Sequence, residues 1–195
     1  MGLLGLSETV SNVSTFQQVT HLEGIHVTDI TVGQSHMIAV SDKGEVYSWG
    51  WGEYGKLGHI DEAEKCTDKR RMVTNSVLRG FNLPKRLEFF GNSQLPKAIA
   101  ASCGKRHSLV LTEDHKVYAF GYAGNGTLGI KGFEGECSVE PVLVPFEQDI
   151  VQIECGFDFS LALGADGRVY SWGLNDWGQL GHNQGIKQDT PQPIT

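Results

Sequence analysis

Three stretches of this chain align without a gap over 26 residues. They read GQSHMIAVSDKGEVYSWGWGEYGKLG from Gly33 to Gly58, GKRHSLVLTEDHKVYAFGYAGNGTLG from Gly104 to Gly129, and GFDFSLALGADGRVYSWGLNDWGQLG from Gly156 to Gly181. Seven columns are identical in all three copies: a leading Gly, a Val-Tyr pair, the Gly after an aromatic residue, and a closing Gly-x-Leu-Gly. Self-similarity of this kind is the signature of a repeat architecture.

Each copy has the pattern of a β-hairpin. A short apolar run precedes a turn such as Asp42-Lys43-Gly44, and alternating residues such as 45–49 follow it. Asp or Lys followed by Gly between two such runs favours a hairpin, because Gly accepts the positive φ that the turn needs. The second copy has His115 in place of this Gly, which predicts a more strained or differently shaped turn. No helical periodicity of comparable length occurs, so the predicted class is all-β.

The spacing of the copies predicts a β-propeller. The leading glycines are 71 and then 52 positions apart, and a unit of about 50 residues with four short strands is typical of a propeller blade. Residues 26–32 supply the inner strand before the first copy, and residues 141–144 and 150–155 supply the additional strands before the third copy. We expect four-stranded blades in one propeller segment over residues 1–195, with repeat cores at 33–58, 104–129 and 156–181.

The two ends of the chain continue the pattern. Gly2-Leu3-Leu4-Gly5 matches the closing motif and is interpreted as the tail of a preceding repeat, while residues 189–194 resemble the start of a next unit. The content is an open arc, with the remaining blades on another segment or chain. A fragment of a longer protein is the favoured interpretation, and closure by pairing with another chain is the alternative.

The repeated polar and aromatic residues are expected to be structural. This set is Gly33, His36, Tyr47, Trp49, Gly50, Gly104, His107, Tyr118, Gly121, Gly156, Tyr170, Trp172 and Gly173. Cys103 and Cys155 occupy the position of Val32, which indicates a small apolar slot. Cys-x-x-Cys and His-x-x-x-His spacings are absent, so neither a metal nor another cofactor is expected. Unpaired thiols suit a reducing compartment, and the predicted location is intracellular, cytoplasmic or nuclear.

Composition excludes several classes of protein. Sixteen basic and 23 acidic residues give a net charge of -7, which argues against direct nucleic-acid binding. No run of 18 apolar residues appears, so no membrane span is expected. Neither a nucleophile elbow nor a phosphate-binding Gly-x-x-x-x-Gly-Lys motif occurs, and no catalytic residues are identified.

A basic insertion is predicted at about residues 60–97. It holds 8 of the 16 basic residues and 5 of the 23 acidic ones. The candidate partner-binding residues are Lys65, Lys69, Arg70, Arg71, Arg79, Lys85 and Arg86. The segment is interpreted either as a solvated loop or as a protrusion that meets an acidic partner surface.

The elements Gly-x-x-His-Ser-x-x-Leu, Gly-x-Val-Tyr-x-Trp-Gly and Gly-x-Leu-Gly-His resemble the repeat of the regulator of chromosome condensation family. The resemblance implies a seven-bladed propeller, of which this chain holds about half. Members include an exchange factor for a Ran-type GTPase, ubiquitin-ligase propellers, ciliary scaffolds and a plant ultraviolet receptor. The receptor's Gly-Trp-Arg-His-Thr pentad is absent here, which disfavours that function.

Fold alone does not select a function. The first hypothesis is a non-enzymatic protein-interaction scaffold. The alternative is a guanine-nucleotide exchange factor for a Ran-type small GTPase, which acts through a protruding loop without covalent chemistry.

Overall fold

The computed structural model describes residues 2–6, 12–59, 80–91, 94, 96–182, 185 and 187–194. Within these residues the chain forms three antiparallel four-stranded sheets. The strands of the first sheet are β1 (Val27–Val32), β2 (His36–Ser41), β3 (Val46–Gly50) and β4 (Phe81–Arg86). Those of the second are β5 (Ala98–Cys103), β6 (His107–Thr112), β7 (Val117–Tyr122) and β8 (Cys137–Val144). Those of the third are β9 (Ile150–Cys155), β10 (Phe159–Gly164), β11 (Val169–Gly173) and β12 (Gln188–Pro193).

The sheets confirm the predicted all-β propeller segment, with one four-stranded blade for each repeat copy. Within every sheet the spatial order of the strands follows the chain. Three sequence expectations change. Residues 141–144 pair with β7 as part of the outer strand of the second blade, so they do not belong to the third blade. Residues 188–193 pair with β11 as the outer strand of the third blade, so they do not open a new unit. Residues 81–86 pair with β3, so the insertion predicted for 60–97 is interrupted by a strand of the first blade.

Antiparallel order gives each blade two distinct ends. The end with the connections β1–β2 and β3–β4, and their counterparts in the other blades, is called the loop face. The opposite end, with the tight β2–β3 turns, is called the turn face. The outer strands each contain a proline, at Pro84, Pro141 and Pro191. A proline lacks a backbone donor, which protects an edge strand from pairing with another chain.

The tight turns adopt the left-handed conformation predicted from sequence. Gly44 has φ 76° and Gly167 has φ 84°, while His115 at the equivalent position has φ 62°. His115 compensates with contacts to the next blade, because its Nδ1 donates to the carbonyl oxygen of Ile150 at 3.1 Å and its own carbonyl accepts from the Ile150 amide.

The hydrophobic core lies between the blades. The first junction buries Ile38, Val46 and Leu87 of the first blade against Ala98, Val110 and Phe120 of the second. Strand β6 of the middle blade is buried at every position, as its continuous apolar run predicted. Each blade therefore depends on its neighbours to bury its faces.

No helix in the described part of the chain has the length and apolar character needed to cross a membrane.

The turn glycines provide a matched test of blade packing. A Cβ on Gly44 would lie 2.1 Å from the Cβ of Lys97 in the adjoining segment, whereas one on Gly167 meets nothing within 4 Å. Gly167→Ala is expected to cost about 1–2 kcal/mol, because only the positive φ is penalised. Gly44→Ala is expected to cost about 1–3 kcal/mol more through overpacking. Urea unfolding of both variants measures the difference, and equal losses would contradict this account of the junction.

Candidate functional site at the blade junctions

Two buried histidines connect consecutive blades. His36 Nε2 lies 2.8 Å from Ser108 Oγ of the second blade, and His107 Nε2 lies 2.9 Å from Ser160 Oγ of the third. Ser108 Oγ donates to the carbonyl oxygen of Lys56 at 2.8 Å, so it accepts from the His36 Nε2–H. Both imidazoles are fully buried. The Ser108 proton is committed to a carbonyl, so this Ser-His pair is a structural link and not a nucleophile with its base.

The leading glycine of each repeat lies directly against this ring. A Cβ on Gly104 would be 2.5 Å from His107 Cε1, and a Cβ on Gly156 would be 2.1 Å from Phe159 Cε1. The ring therefore occupies the space that any larger residue would need. This contact explains why each copy has a glycine three residues before the ring, which is His36, His107 or Phe159.

Burial keeps the two histidines neutral. It lowers the pKa of His36 to about 3 and that of His107 to about 4, and positive charge on Lys56 and Arg106, respectively, acts in the same direction. Asp158 opposes the shift at His107. The Nδ1 atom of each ring is buried without a hydrogen-bond partner, so protonation there would place an unsatisfied donor in the core.

The aromatic residue of each blade is covered by the closing motif of the preceding repeat. Trp172 Nε1 donates to the carbonyl oxygen of Thr127, and Trp49 Nε1 donates to that of Leu3, both at 3.0 Å. Leu3 and Thr127 hold the same position in Gly-x-Leu-Gly. The Gly2–Gly5 segment thus packs on the first blade as a repeat tail packs on the blade that follows it.

The histidines that follow the closing motif are also structural. Ser48 Oγ contacts His59 Nε2 and Ser171 Oγ contacts His182 Nε2, each at 2.9 Å. The middle blade replaces the pair with Ala119 and Ile130. Across the described residues, no three His, Cys, Asp or Glu side chains come together as metal ligands.

A cluster of charged and aromatic side chains spans all three blades at the loop face. Arg106 donates to both carboxylate oxygens of Asp158, at 3.2 and 2.9 Å. Its guanidinium lies 3.8 Å from the ring centroid of Tyr122 and 5.6 Å from that of Tyr54. The two tyrosine rings contact edge to face, with centroids 5.0 Å apart. Arg106 of the middle blade thereby contacts residues of both neighbouring blades.

Lys56 lies beside this cluster and is 1 % exposed. Its Nζ donates to Ser35 Oγ at 2.8 Å and to the carbonyl oxygen of Lys105 at 3.2 Å. Burial lowers the pKa of Lys56. Lys105 in turn places its Nζ 4.3 Å from the ring centroid of Phe157, which is 54 % exposed. The loop face therefore carries cations that are held in place by oxygen and aromatic contacts.

The structure does not bring the predicted partner-binding residues together. Lys65, Lys69, Arg70, Arg71 and Arg79 lie outside the described residues. Lys85 Nζ lies 4.4 Å from the ring centroid of Phe81. Arg86 lies at the turn-face end of β4, where it pairs with Glu45 at 3.5 Å and donates to the carbonyl oxygen of Gly91 at 3.3 Å. His59 and Gly80, which flank the undescribed segment, lie at the opposite end, the loop face.

The loop-face cluster was not predicted from the sequence, although a signal existed. The position before His36 and its equivalents is Ser35, then Arg106, then Asp158. Opposite charges at the same position of consecutive repeats indicate an ion pair, since that position recurs at each blade junction. The signal for this ion pair lies at a position that differs among the three copies, and the columns identical in all three do not show it.

Stability should fall in acid because of the two buried histidines. Their pKa values are depressed in the folded state, so the stability they contribute is present above about pH 6.5 and is lost as the pH falls toward 4 and 3. Each imidazole contributes a slope of about 1.4 kcal/mol per pH unit over this range. His36→Phe, which copies the residue of the third blade, is expected to remove one such contribution from the free energy of unfolding.

Urea unfolding at pH 7, 6 and 5 measures the slope. The control is His21→Phe, because His21 is exposed, and it is expected to leave the slope unchanged. An identical pH dependence in His36→Phe and the unaltered chain would contradict a neutral buried imidazole.

Two ion pairs allow a test of the Arg106 contact. Arg106→Met leaves Asp158, whose side chain is 7 % exposed, buried without its cation, and we expect a loss of about 3–5 kcal/mol in unfolding free energy. Arg168→Met breaks the exposed pair with Asp166, whose side chains are 70 % and 39 % exposed, and we expect a loss below about 1 kcal/mol. Chemical denaturation compares the two, and similar losses would argue against a joining role for Arg106.

Comparison with known proteins agrees with this architecture. The family profile "Regulator of chromosome condensation (RCC1) repeat" matches residues 43–111, 114–163 and 166–195. The ultraviolet-B receptor UVR8 of Arabidopsis thaliana is 30 % identical over 99 % of this chain and 51 % of its own length. The human E3 ubiquitin-protein ligase HERC2 is 36 % identical over 90 % of this chain and 3 % of its own length.

A solved structure supports the fold independently. Prp20p of Saccharomyces cerevisiae, described together with its binding to Gsp1p and histones, superimposes with a TM-score of 0.72 at 20 % identity, over 87 % of this chain and 38 % of that one. This chain spans about half the length of UVR8 and a small part of HERC2. The repeat spacing, the four-stranded blades and the family match together show that the chain belongs to the regulator of chromosome condensation (RCC1) repeat family.

Proposed function

We propose that this chain is a propeller segment that acts as a protein-interaction scaffold without catalysing a covalent reaction. The proposal rests on how the histidine, serine and cysteine side chains are engaged in the fold. The described His-Ser pairs are committed to links within and between blades, and burial raises the pKa of Cys155 to about 12, which suppresses the reactive thiolate. Loops on a rigid scaffold remain as the contact surface.

An intracellular location forms part of this proposal. Cys103, Cys137 and Cys155 are unpaired, and unpaired cysteines persist in reducing compartments. Further blades, on a longer chain or on another one, complete the propeller in this proposal. The partner is a protein, and direct nucleic-acid binding is disfavoured by the net charge of -7.

The partner contact is assigned to the basic segment between His59 and Gly80. Its sequence contains Lys65, Lys69, Arg70, Arg71 and Arg79 together with four acidic residues, so the positive charge is concentrated at Lys69, Arg70 and Arg71. The two flanking residues are anchored in the first blade: His59 contacts Ser48, and its ring lies 4.9 Å from that of Phe81. Charged residues grouped in this way steer an acidic partner and accelerate association.

Charge reversal tests the proposal. A chain with Lys69, Arg70 and Arg71 changed to Glu is expected to bind the partner more weakly and to lose most of the salt dependence of association. The matched control reverses Lys43, Lys116 and Arg168, three exposed cations at the turn face. Binding is measured at two salt concentrations against proteins captured by the unaltered chain. If the two variants bind with equal affinity and equal dependence on salt concentration, the basic segment is not part of the interface.

The alternative function is guanine-nucleotide exchange on a Ran-type small GTPase. It is favoured by the similarity in fold to Prp20p, which is described with its binding to Gsp1p. Release of a fluorescent nucleotide from a captured GTPase separates the two functions. Faster release identifies an exchange factor, and unchanged release with a bound GTPase leaves the scaffold.

A further inference from the structure

The middle blade carries an asparagine-glycine pair at the start of its closing motif. The residue before that motif is Tyr54 in the first copy, Asn125 in the second and Trp177 in the third, and the glycine of the motif follows it in each case. Of the seven asparagines in the sequence, Asn125 is the one followed by glycine. The loop that holds it contacts β12 of the third blade.

The backbone at this pair is held by weak contacts. Asn125 adopts the left-handed conformation, with φ 59° and ψ 11°, which is disfavoured for a residue that has a Cβ. The amide of Gly126 donates to the carbonyl oxygen of Ala123 at 3.2 Å, and that of Thr127 donates to the carbonyl oxygen of Gly124 at 3.4 Å. Both distances exceed the usual length of about 2.9–3.0 Å. A single turn with long hydrogen bonds and two glycines opens locally at low cost.

The side-chain amide of Asn125 is not engaged by the fold. Asn125 is half-buried, and its amide makes no hydrogen bond to any described residue. Asn175 of the third blade has the opposite arrangement, because it is fully buried and its Oδ1 accepts from the Leu180 amide at 3.0 Å. An aspartate follows Asn175 in the sequence. The chain therefore contains a matched pair of asparagines, of which only Asn125 has an unbonded amide next to a glycine.

We propose that Asn125 is a site of spontaneous deamidation. The backbone nitrogen of Gly126 gives up its proton to solvent and bonds to Cγ of Asn125. The bond from Cγ to Nδ2 breaks, and Nδ2 takes up a proton and leaves as ammonia. Water then opens the five-membered imide at either of its two carbonyls, which gives aspartate or isoaspartate. One water is consumed and one ammonia is released, and nothing is oxidised or reduced.

The reaction proceeds from the opened turn. In the closed turn the Gly126 amide donates to Ala123, and a ψ of 11° at Asn125 directs the Gly126 nitrogen away from Cγ. Opening allows rotation about ψ, and the absence of a Cβ on Gly126 leaves its nitrogen unobstructed. The rate of conversion therefore follows how often this turn opens.

The junction between the second and third blades has no room for the product. A Cβ on Gly126 would lie 2.6 Å from the carbonyl oxygen of Gln188 and 2.7 Å from Oδ1 of Asp189. Isoaspartate lengthens the main chain by one carbon at this contact, and either product adds a carboxylate to the loop that lies against Asp189. The same loop accepts the hydrogen bond of Trp172 Nε1 through the carbonyl oxygen of Thr127. Deamidation therefore loosens this blade junction, an effect that does not rest on the function proposed above.

Peptide mass mapping tests the site. The folded chain is incubated at mildly alkaline pH, and conversion of amide to acid is followed at Asn125 and Asn175 over the same period. Asn125 is expected to convert at least about tenfold faster, which corresponds to a barrier about 1.4 kcal/mol lower. Labelling with an isoaspartyl methyltransferase identifies the isoaspartate, and Asn125→Gln should remove the label at this site. Equal conversion of the two asparagines, or conversion of Asn125 in the urea-denatured chain alone, would overturn the proposal.

Urea unfolding tests the effect on the junction. The isoaspartate form, separated from the incubated chain by ion exchange, and the Asn125→Asp variant should both unfold at lower urea concentration than the Asn125→Gln variant. Asn12→Asp adds the same charge at an exposed asparagine and is expected to unfold as the unaltered chain does. An isoaspartate form with the urea midpoint of the unaltered chain would show that the junction tolerates the product and would overturn this part of the proposal.

Discussion

In each of the three described blades, the core aromatic residue is covered by the closing motif of the preceding repeat. Trp49 and Trp172 are each covered, and hydrogen-bonded, by a Gly-x-Leu-Gly motif from the preceding repeat. The last glycine of the motif lies against the indole, since a Cβ on Gly129 would be 2.9 Å from Trp172 Nε1. This dependence places the hydrophobic core between blades and makes stability a property of neighbouring pairs. The same dependence leaves exposed apolar residues wherever a described blade lacks a neighbour.

The polar contacts follow the same rule, since they join blades rather than close individual ones. His36 and His107 each reach a serine of the next blade, and Arg106 contacts Asp158 ahead of it and Tyr54 behind it. Burying these groups demands complete partners, because an unpaired polar atom in a dry site is costly. The unpartnered Nδ1 atoms therefore make the junctions sensitive to acid. The His36–Ser108 pair thus has the residue types of a catalytic pair, but the Ser108 hydroxyl donates its proton to a backbone carbonyl and not to the histidine.

The surfaces that take no part in the blade junctions remain available to bind a partner. The repeat geometry engages His36, His59, His107 and His182 with serine hydroxyls, and it places two loops of each blade at one face. The basic segment joins the first blade at that face, whereas Arg86 lies at the other end of β4, where it pairs with Glu45. The sequence prediction placed Arg86 with the basic segment, because the number of charges along the chain does not show which end of a strand a residue occupies.

The sequence by itself determined the repeat, the hairpins and the all-β class, because each follows from a local pattern repeated three times. The strained turn at His115 was also readable, since only its position differs from the glycine copies. Tertiary structure alone decided that β4 interrupts the predicted insertion and that Lys56 and Arg106 are held at blade junctions. The first fact depends on the pairing of β4 with β3 across a long intervening segment. The second depends on which residues of different repeats meet across a junction, about 50 positions apart in the sequence, and no pattern within one copy shows this.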